Sequence, residues 1–99
     1  MVVIDGMYRY ECALNVMEVV NKNSPSGFMI ILDNSDWFKN TSKYLREELN
    51  LIEIDFHGFS PINAYTLTTS IFISRNFKFS PNNGIQPHYS LAAIKHSSD

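Results

Sequence analysis

Two short apolar runs and one segment with helical periodicity make up the first third of the chain. Val2–Asp5 (VVID) and Phe28–Asp33 (FMIILD) are continuous apolar runs, which are typical of strands buried on both faces. Between them, Arg9–Lys22 repeats apolar residues at helical spacing and leaves Glu11 and Glu18 for the solvent face. This pattern predicts a strand, a helix and a second strand.

The second half of the chain continues the alternation and then changes it. Lys39–Asn50 predicts a second helix, with Asn40 or Thr41 as its N-cap. Leu51–Phe59 alternates polar and apolar residues with a period of two, which is typical of a half-exposed strand, and Thr66–Phe77 supplies a last strand. The order strand, helix, strand, helix, strand, strand predicts an α/β fold with a mainly parallel sheet whose last two strands are antiparallel.

The two ends of the chain differ in character. From Ser80 the sequence turns polar, so we expect a folded part over residues 1–79 and a poorly ordered tail over residues 80–99. The sequence begins inside its first strand, although a buried parallel strand should have neighbours on both sides. We therefore expect the sheet to be partial, to expose an apolar face and an edge, and to make the isolated chain oligomeric or poorly soluble.

The composition of the chain favours some classes of protein and argues against others. The chain is 44% hydrophobic and carries a net charge of −2, which favours a folded domain and gives no basic field for nucleic acid. It contains no apolar run of transmembrane length and no signal-peptide pattern, so we predict a cytoplasmic protein that binds no membrane. The single cysteine, Cys12, indicates neither a disulfide nor a zinc site, and we expect it to be a buried helix residue.

Acidic and amide side chains follow both predicted parallel strands. Asp5 ends the first strand, and Asp33 and Asn34 end the second. Ligands bind beyond the carboxyl ends of parallel strands, and this set of oxygens would suit Mg²⁺, Ca²⁺ or Mn²⁺. The alternative is that these side chains cap the following helix or hold a turn through bonds to the backbone.

Three further residues are candidates for a site at the same strand ends. His57 follows a strand and could act there as a general base, although a histidine in a turn is more often structural. Trp37 could form an apolar wall of a substrate pocket or simply cover the end of the sheet. Arg9 could pair with an acidic group of a substrate, although an arginine at a helix start is usually exposed.

Three blocks of the sequence together resemble a known family. They are VVIDGMYRYECALNVMEVV, GFMIILDNSDWF and DFHGFSPINAYTLTTSIFISRNF. In order and spacing they are similar to the C-terminal half of a class I S-adenosylmethionine-dependent methyltransferase, from about Val2 to Phe79. The resemblance implies a partial Rossmann-like sheet that holds the fourth to seventh strands, with the seventh antiparallel beside the sixth and the N-terminal half missing.

The resemblance also implies a chemistry and shows where this chain departs from it. In metal-dependent O-methyltransferases of this superfamily, the metal ligands would fall by position on Asp5, Asp33 and Asn34. Relatives carry a further acid or a histidine where this chain has Met7 and Tyr8, so the usual base is missing. The glycine-rich loop that holds S-adenosylmethionine is also absent. We therefore do not expect the chain alone to bind this cofactor well.

Two functions follow as hypotheses. The first is a methyltransferase fragment that acts on a small hydroxylated or sugar-like substrate, with S-adenosylmethionine and Mg²⁺ as implied cofactors. Its activity would require an N-terminal half on another chain, or self-association. The second is a non-enzymatic remnant or association module that pairs through its exposed sheet edge. A receiver-like domain that uses paired acids and Mg²⁺ needs a complete sheet, for which the chain is too short.

Overall fold

The computed structural model describes residues 1–23, 27–80 and 91–94, and it gives only the backbone of residues 21–23. Most of the predicted tail, residues 81–90 and 95–99, therefore lies outside the described residues. The elements follow the predicted order. They are β1 (Val2–Ile4), α1 (Arg9–Asn23), β2 (Met29–Leu32), α2 (Lys39–Lys43), a π turn (Tyr44–Glu48), β3 (Ile52–Phe59) and β4 (Thr66–Ile73).

The four strands form one mixed sheet in the order β1-β2-β4-β3. β1 and β2 are parallel, with Val3 opposite Ile31. β4 lies between β2 and β3 and is antiparallel to both. The predicted antiparallel pairing of the last two strands is confirmed. β1, β2 and β3 run in the same direction as predicted, but only β1 and β2 pair in parallel, because β4 inserts between β2 and β3.

Both helical segments pack on one face of the sheet, which we call the covered face. Ala13 of α1 and Leu45 of the π turn join the same core cluster as Ile30 and Phe72 of the strands. The register places Val2, Ile30 and Phe72 in one row across the first three strands of this face. Burial of these side chains is the main source of stability in the fold.

The opposite face is largely apolar, and no helix among residues 1–23, 27–80 and 91–94 packs against it. Across the four strands, Val3, Ile31, Ile71 and Ile54 form one continuous row on this face. Val3 is 59% exposed and Ile54 is 41% exposed, whereas Ile31 and Ile71 are half-buried. We call this the bare face; it comprises Val3, Met29, Ile31, Ile52, Ile54, Phe56 and Ile71. The sequence predicted such a face, but burial of β1 on both sides is wrong for the described chain.

The second helix begins and ends differently from the prediction. Its N-cap is Phe38, whose side chain makes no capping hydrogen bond, and Thr41 is buried inside the helix. The helix then widens into a π turn, in which the Leu49 N–H donates to the Tyr44 carbonyl at 3.1 Å. Leu45 is fully buried.

Cys12 lies on the exposed side of α1, so the expectation of a buried cysteine is wrong. Helical spacing puts Ala13 and Met17, rather than Cys12, against the sheet.

Candidate functional site

The carboxyl ends of β1 and β2 are joined through one arginine. Arg9 Nη2 donates to Asp5 Oδ1 at 2.6 Å and to Asn34 Oδ1 at 3.2 Å. Its other terminal nitrogen, Nη1, donates to the carbonyl of Gly6. We call Asp5, Arg9, Asp33 and Asn34 the strand-end rim. The structure thus brings three of the predicted site residues into direct contact.

Arg9 is buried although it starts a helix. It is 7% exposed, and its guanidinium carbon lies 4.0 Å from the centroid of the Phe38 ring. A guanidinium over an aromatic face is attracted by the ring quadrupole, and this contact fixes the position of Phe38. Arg9 Nε is buried and has no hydrogen-bond partner within the described part of the chain. Arg9 therefore provides a buried positive charge at the strand-end rim.

The backbone at the rim is held in uncommon conformations. Tyr8 and Asn34 have φ of 59° and 53°, and Gly6 has φ of 85°. Positive φ is costly for a bulky residue such as Tyr8, by roughly 1–3 kcal/mol, and such residues cluster at binding and catalytic sites. The Asp33 N–H donates to the Ile4 carbonyl at 3.2 Å, which keeps the two strand ends together.

Asp33 belongs to a second cluster, on the side of the bare face. Its Oδ1 accepts a hydrogen bond from Thr69 Oγ1 at 2.7 Å. Asp33, Asn34 and His57 line one cavity of about 360 Å³. His57 Nδ1 lies 2.8 Å from Thr68 Oγ1, which leaves Nε2 as its second polar atom. His57 lies within β3 rather than after a strand, and its ring contacts Thr68 on the covered face, so His57 and Asp33 border this cavity from opposite faces of the sheet.

The oxygens predicted to bind a metal are engaged by protein donors. Asp5 Oδ1 and Asn34 Oδ1 accept from the Arg9 guanidinium, and Asp33 Oδ1 accepts from Thr69. A divalent ion at Asp5 and Asn34 would have to displace a buried positive charge. Within the described residues, no group of three or more His, Cys, Asp or Glu side chains is placed to hold a metal. Because Oδ1 of Asp5, Asn34 and Asp33 is engaged in each case by a protein donor, this arrangement does not fit Mg²⁺.

A chain of polar side chains lies under the rim on the covered face. The Ser70 hydroxyl donates to Asp55 Oδ1 at 2.5 Å and lies 2.6 Å from Ser35 Oγ. Ser35 and Ser70 are buried, and Asp36 Oδ1 accepts the Thr68 N–H at 3.2 Å. The sequence analysis did not identify these residues, although three consecutive hydroxyl residues in the last strand (TTS) are an unusual feature of a central strand.

Another cavity is lined by residues from α1, from the segment before α2, and from α2 and the π turn, and Phe38 is among them. It has a volume of about 650 Å³, and we call it the aromatic groove. Aromatic side chains from three segments line it, together with two lysines: Tyr10, Trp37, Phe38, Tyr44, Lys39 and Lys43. Trp37 is 61% exposed, lines this groove, and also lies with its ring centroid 6.3 Å from that of Tyr65 in the β3–β4 connection. Sequence analysis singled out Trp37 alone.

A third cavity, of about 380 Å³, separates α2 from β3. Acidic and basic side chains share its lining, among them Asp36, Lys39, Arg46 and Asp55. Arg46 Nη1 donates to Glu53 Oε2 at 2.6 Å. Hydrogen bonds to Glu53, and secondarily to Glu47, raise the pKa of Arg46 above its ordinary value, so Arg46 is cationic at every working pH.

Comparisons with known proteins gave no relative. No protein-family model, curated protein or solved structure matches this chain. In the part of the chain that the structure describes, no helix is long and apolar enough to cross a membrane. Arguments about function therefore rest on the geometry of the strand-end rim, the cavities beside it and the bare face.

Proposed function

We propose that this chain is the C-terminal part of a class I S-adenosylmethionine-dependent methyltransferase domain in the cytoplasm. It would act on a hydroxyl oxygen of a small hydroxylated or sugar-like substrate. The remaining half of the fold would come from outside these 99 residues, because the sequence lacks the glycine-rich loop that holds the cofactor. The chain is therefore not expected to be active alone.

The observation that best supports this proposal is the arrangement of the strands. Two parallel strands end in Asp5 and Asp33 at one rim, and the last strand lies antiparallel beside the third. Resemblance to the methyltransferase sheet implies the same directions for the fourth to seventh strands. The bare face and the unpaired outer side of β1 are the surfaces that a further half-sheet and its helices would cover.

In this proposal, S-adenosylmethionine supplies an electrophilic methyl group bound to a positively charged sulfur. The residues of this chain would position the acceptor and remove its proton. His57 lines the cavity beside Asp33, and in the tautomer whose Nδ1–H donates to Thr68 Oγ1, Nε2 can accept the hydroxyl proton. Arg9 would hold the two strand ends at a fixed separation.

Titration calorimetry with S-adenosylmethionine tests the proposal. The chain would be titrated alone, with and without Mg²⁺, and then with the N-terminal half of a characterised class I methyltransferase that ends before its fourth strand. We expect no binding in the micromolar range by the chain alone and micromolar binding by the mixture. Absence of binding in a mixture that sediments as a folded complex would contradict the proposal.

A second function is favoured by the bare face alone. An apolar row that crosses all four strands, next to an unpaired edge strand, is a surface suited to association. We therefore also propose an association module with no chemistry of its own. The same calorimetry separates the two functions, because a module would form complexes and would bind no S-adenosylmethionine in any of them.

A further inference from the structure

We propose that the aromatic groove binds a planar aromatic ligand that carries a carboxylate or a phosphate. The groove lies outside the strand-end rim and contains neither the predicted base nor a predicted metal ligand. Its volume of about 650 Å³ falls within the range of roughly 300–1,000 Å³ that is usual for small-molecule sites. The ligand's chemistry follows from the walls, the charges and the rigidity of the groove.

The walls of the groove favour a flat, apolar ligand. Tyr10 and Tyr44 meet edge to face with their centroids 5.7 Å apart, and Phe38 and Trp37 continue the lining. Trp37 is 61% exposed and Tyr10 is 41% exposed, so both rings leave large apolar surfaces in water. An aromatic ring inserted between such walls would bury area on both of its faces.

The charged residues of the groove favour a negatively charged ligand. Lys39 and Lys43 are separated by one helical turn and both line the groove, whereas Glu48 is its one acidic lining residue. Neither lysine takes part in the ion pairs found in residues 1–23, 27–80 and 91–94. A carboxylate or phosphate on the ligand would supply the counter-charge in a partly dry site, where the attraction is stronger than in water.

Two features keep the walls in place before a ligand arrives. The Arg9 guanidinium stacks on Phe38, and Arg9 itself is fixed by Asp5 and Asn34. Tyr44 and Glu48 belong to the π turn, an irregularity that occurs frequently at functional sites. A preformed site loses less conformational entropy on binding than one that must be ordered.

The aromatic groove lies next to the strand-end rim, on which the proposed function depends. Phe38 contacts the rim through Arg9 and also lines the groove, so a ligand held there would lie next to the rim. That this ligand is the methyl acceptor rests on the proposed function, whereas its binding to the groove does not. A hydroxylated aromatic acid or a hydroxylated aryl phosphate would then be the substrate class.

Trp37 allows a specific test because it is the only tryptophan of the chain. The probes are benzoate, phenyl phosphate, benzamide, acetate and inorganic phosphate, each titrated while the tryptophan emission is recorded. We expect a saturable change with benzoate or phenyl phosphate. Benzamide, which has the same shape as benzoate but no charge, should bind at least about tenfold more weakly because it cannot pair with the lysines. Acetate and inorganic phosphate should have no effect.

Two matched variants distinguish binding in the groove from a general attraction of anions to surface lysines. Lys43→Gln should raise the dissociation constant of benzoate or phenyl phosphate by about fivefold or more. Lys78→Gln removes an exposed charge outside the groove and should leave that constant unchanged. Circular dichroism checks that both variants are folded.

Three results would overturn the proposal. They are equal binding of benzoate and benzamide, a response to inorganic phosphate that equals the response to phenyl phosphate, and equal losses in the two lysine variants. No binding of either aromatic anion to a folded chain would overturn it as well. None of these results bears on the methyltransferase proposal, because the experiment contains no S-adenosylmethionine.

Discussion

The two faces of the sheet are built from the same strands but have opposite surroundings. On the covered face, the row Val2, Ile30, Phe72 lies under the helices and ends in Glu53 on β3. On the bare face, the adjacent row is apolar in all four strands, and its members at both edges are exposed. On β3, the side that belongs to the covered face is thus more polar than the side that belongs to the bare face.

The two sides of β3 show the reverse of the usual arrangement. An edge strand in a two-layer domain normally turns its apolar side to the helices and its polar side to water. Here Glu53, Asp55 and His57 lie on the covered face, while Ile54 and Phe56 lie on the bare one. The apolar side of β3 therefore faces away from the helices, and its side chains Ile54 and Phe56 are exposed.

The largest expected effect compares one phenylalanine from each face. Phe72→Ala removes a ring that is 0% exposed and should lower the free energy of unfolding by about 3–5 kcal/mol, or abolish folding. Phe56→Ala removes a ring that is 55% exposed and should cost less than about 1 kcal/mol in the monomer. Urea unfolding followed by circular dichroism measures both values at low protein concentration. Similar losses for the two variants would refute the assignment of the faces.

A charge on the bare face should act on association rather than on folding. Ile54→Asp places a carboxylate in the middle of the apolar row and should weaken self-association by at least about tenfold, because the charge would have to be desolvated in the interface. Sedimentation equilibrium measures the change. Ile62→Asp is the control, because Ile62 is 92% exposed and lies outside the sheet. A loss of association in both variants would indicate nonspecific aggregation.

The buried hydroxyl on the covered face should have an intermediate effect. Ser70→Ala leaves Asp55 and Ser35 without their shared partner and should lower the free energy of unfolding by about 1–3 kcal/mol. Thr69→Ala, one residue away on the bare face, removes the bond to the half-buried Asp33 and should cost about 0.5–1 kcal/mol. Denaturant titration of both variants gives the comparison, and a larger loss for Thr69→Ala would contradict it.

The smallest effect concerns the ion pair that holds β3 to the π turn on the covered face. Arg46 is nearly half exposed, so Arg46→Gln should cost less than about 1 kcal/mol, and the loss should shrink in 1 M salt. Because the pKa of Arg46 is raised by its hydrogen bonds to Glu53 and Glu47, its contribution is complete below its ordinary pKa and is lost only in strongly alkaline solution. Arginine deprotonation should therefore cause no pH dependence between pH 5 and 10. A double-mutant cycle with Glu53→Gln isolates the pair.

Periodicity was sufficient to predict the order of the elements. The apolar runs at β1 and β2, the helical spacing of α1 and the period of two in β3 each correspond to an observed element. Periodicity gives two faces for a strand but does not say which face the helices cover. The apolar side of β3 could therefore not be assigned to the bare face before the sheet order was known.

Only part of the strand-end rim could be predicted from the sequence. Asp5, Asp33 and Asn34 follow parallel strands, and this position is readable from the sequence. The role of Arg9 was not, because it depends on Phe38 and Asn34, which are distant in sequence from the start of α1. The aromatic groove was missed because α1 and α2 contribute aromatic side chains that no local pattern connects.

The central position of β4 affects how the chain folds during its synthesis on the ribosome. β4 is the last strand of the sheet, and β3 reaches the other strands only through it. Until Thr66–Ile73 has emerged from the exit tunnel, the nascent chain consists of a parallel pair and a separate strand with nothing between them. β3 ends at Phe59 and β4 at Ile73, so at roughly 5–20 residues per second that state lasts about 1–3 seconds. The apolar strands remain open during this interval, so slow translation would expose this chain to chaperones before it could fold.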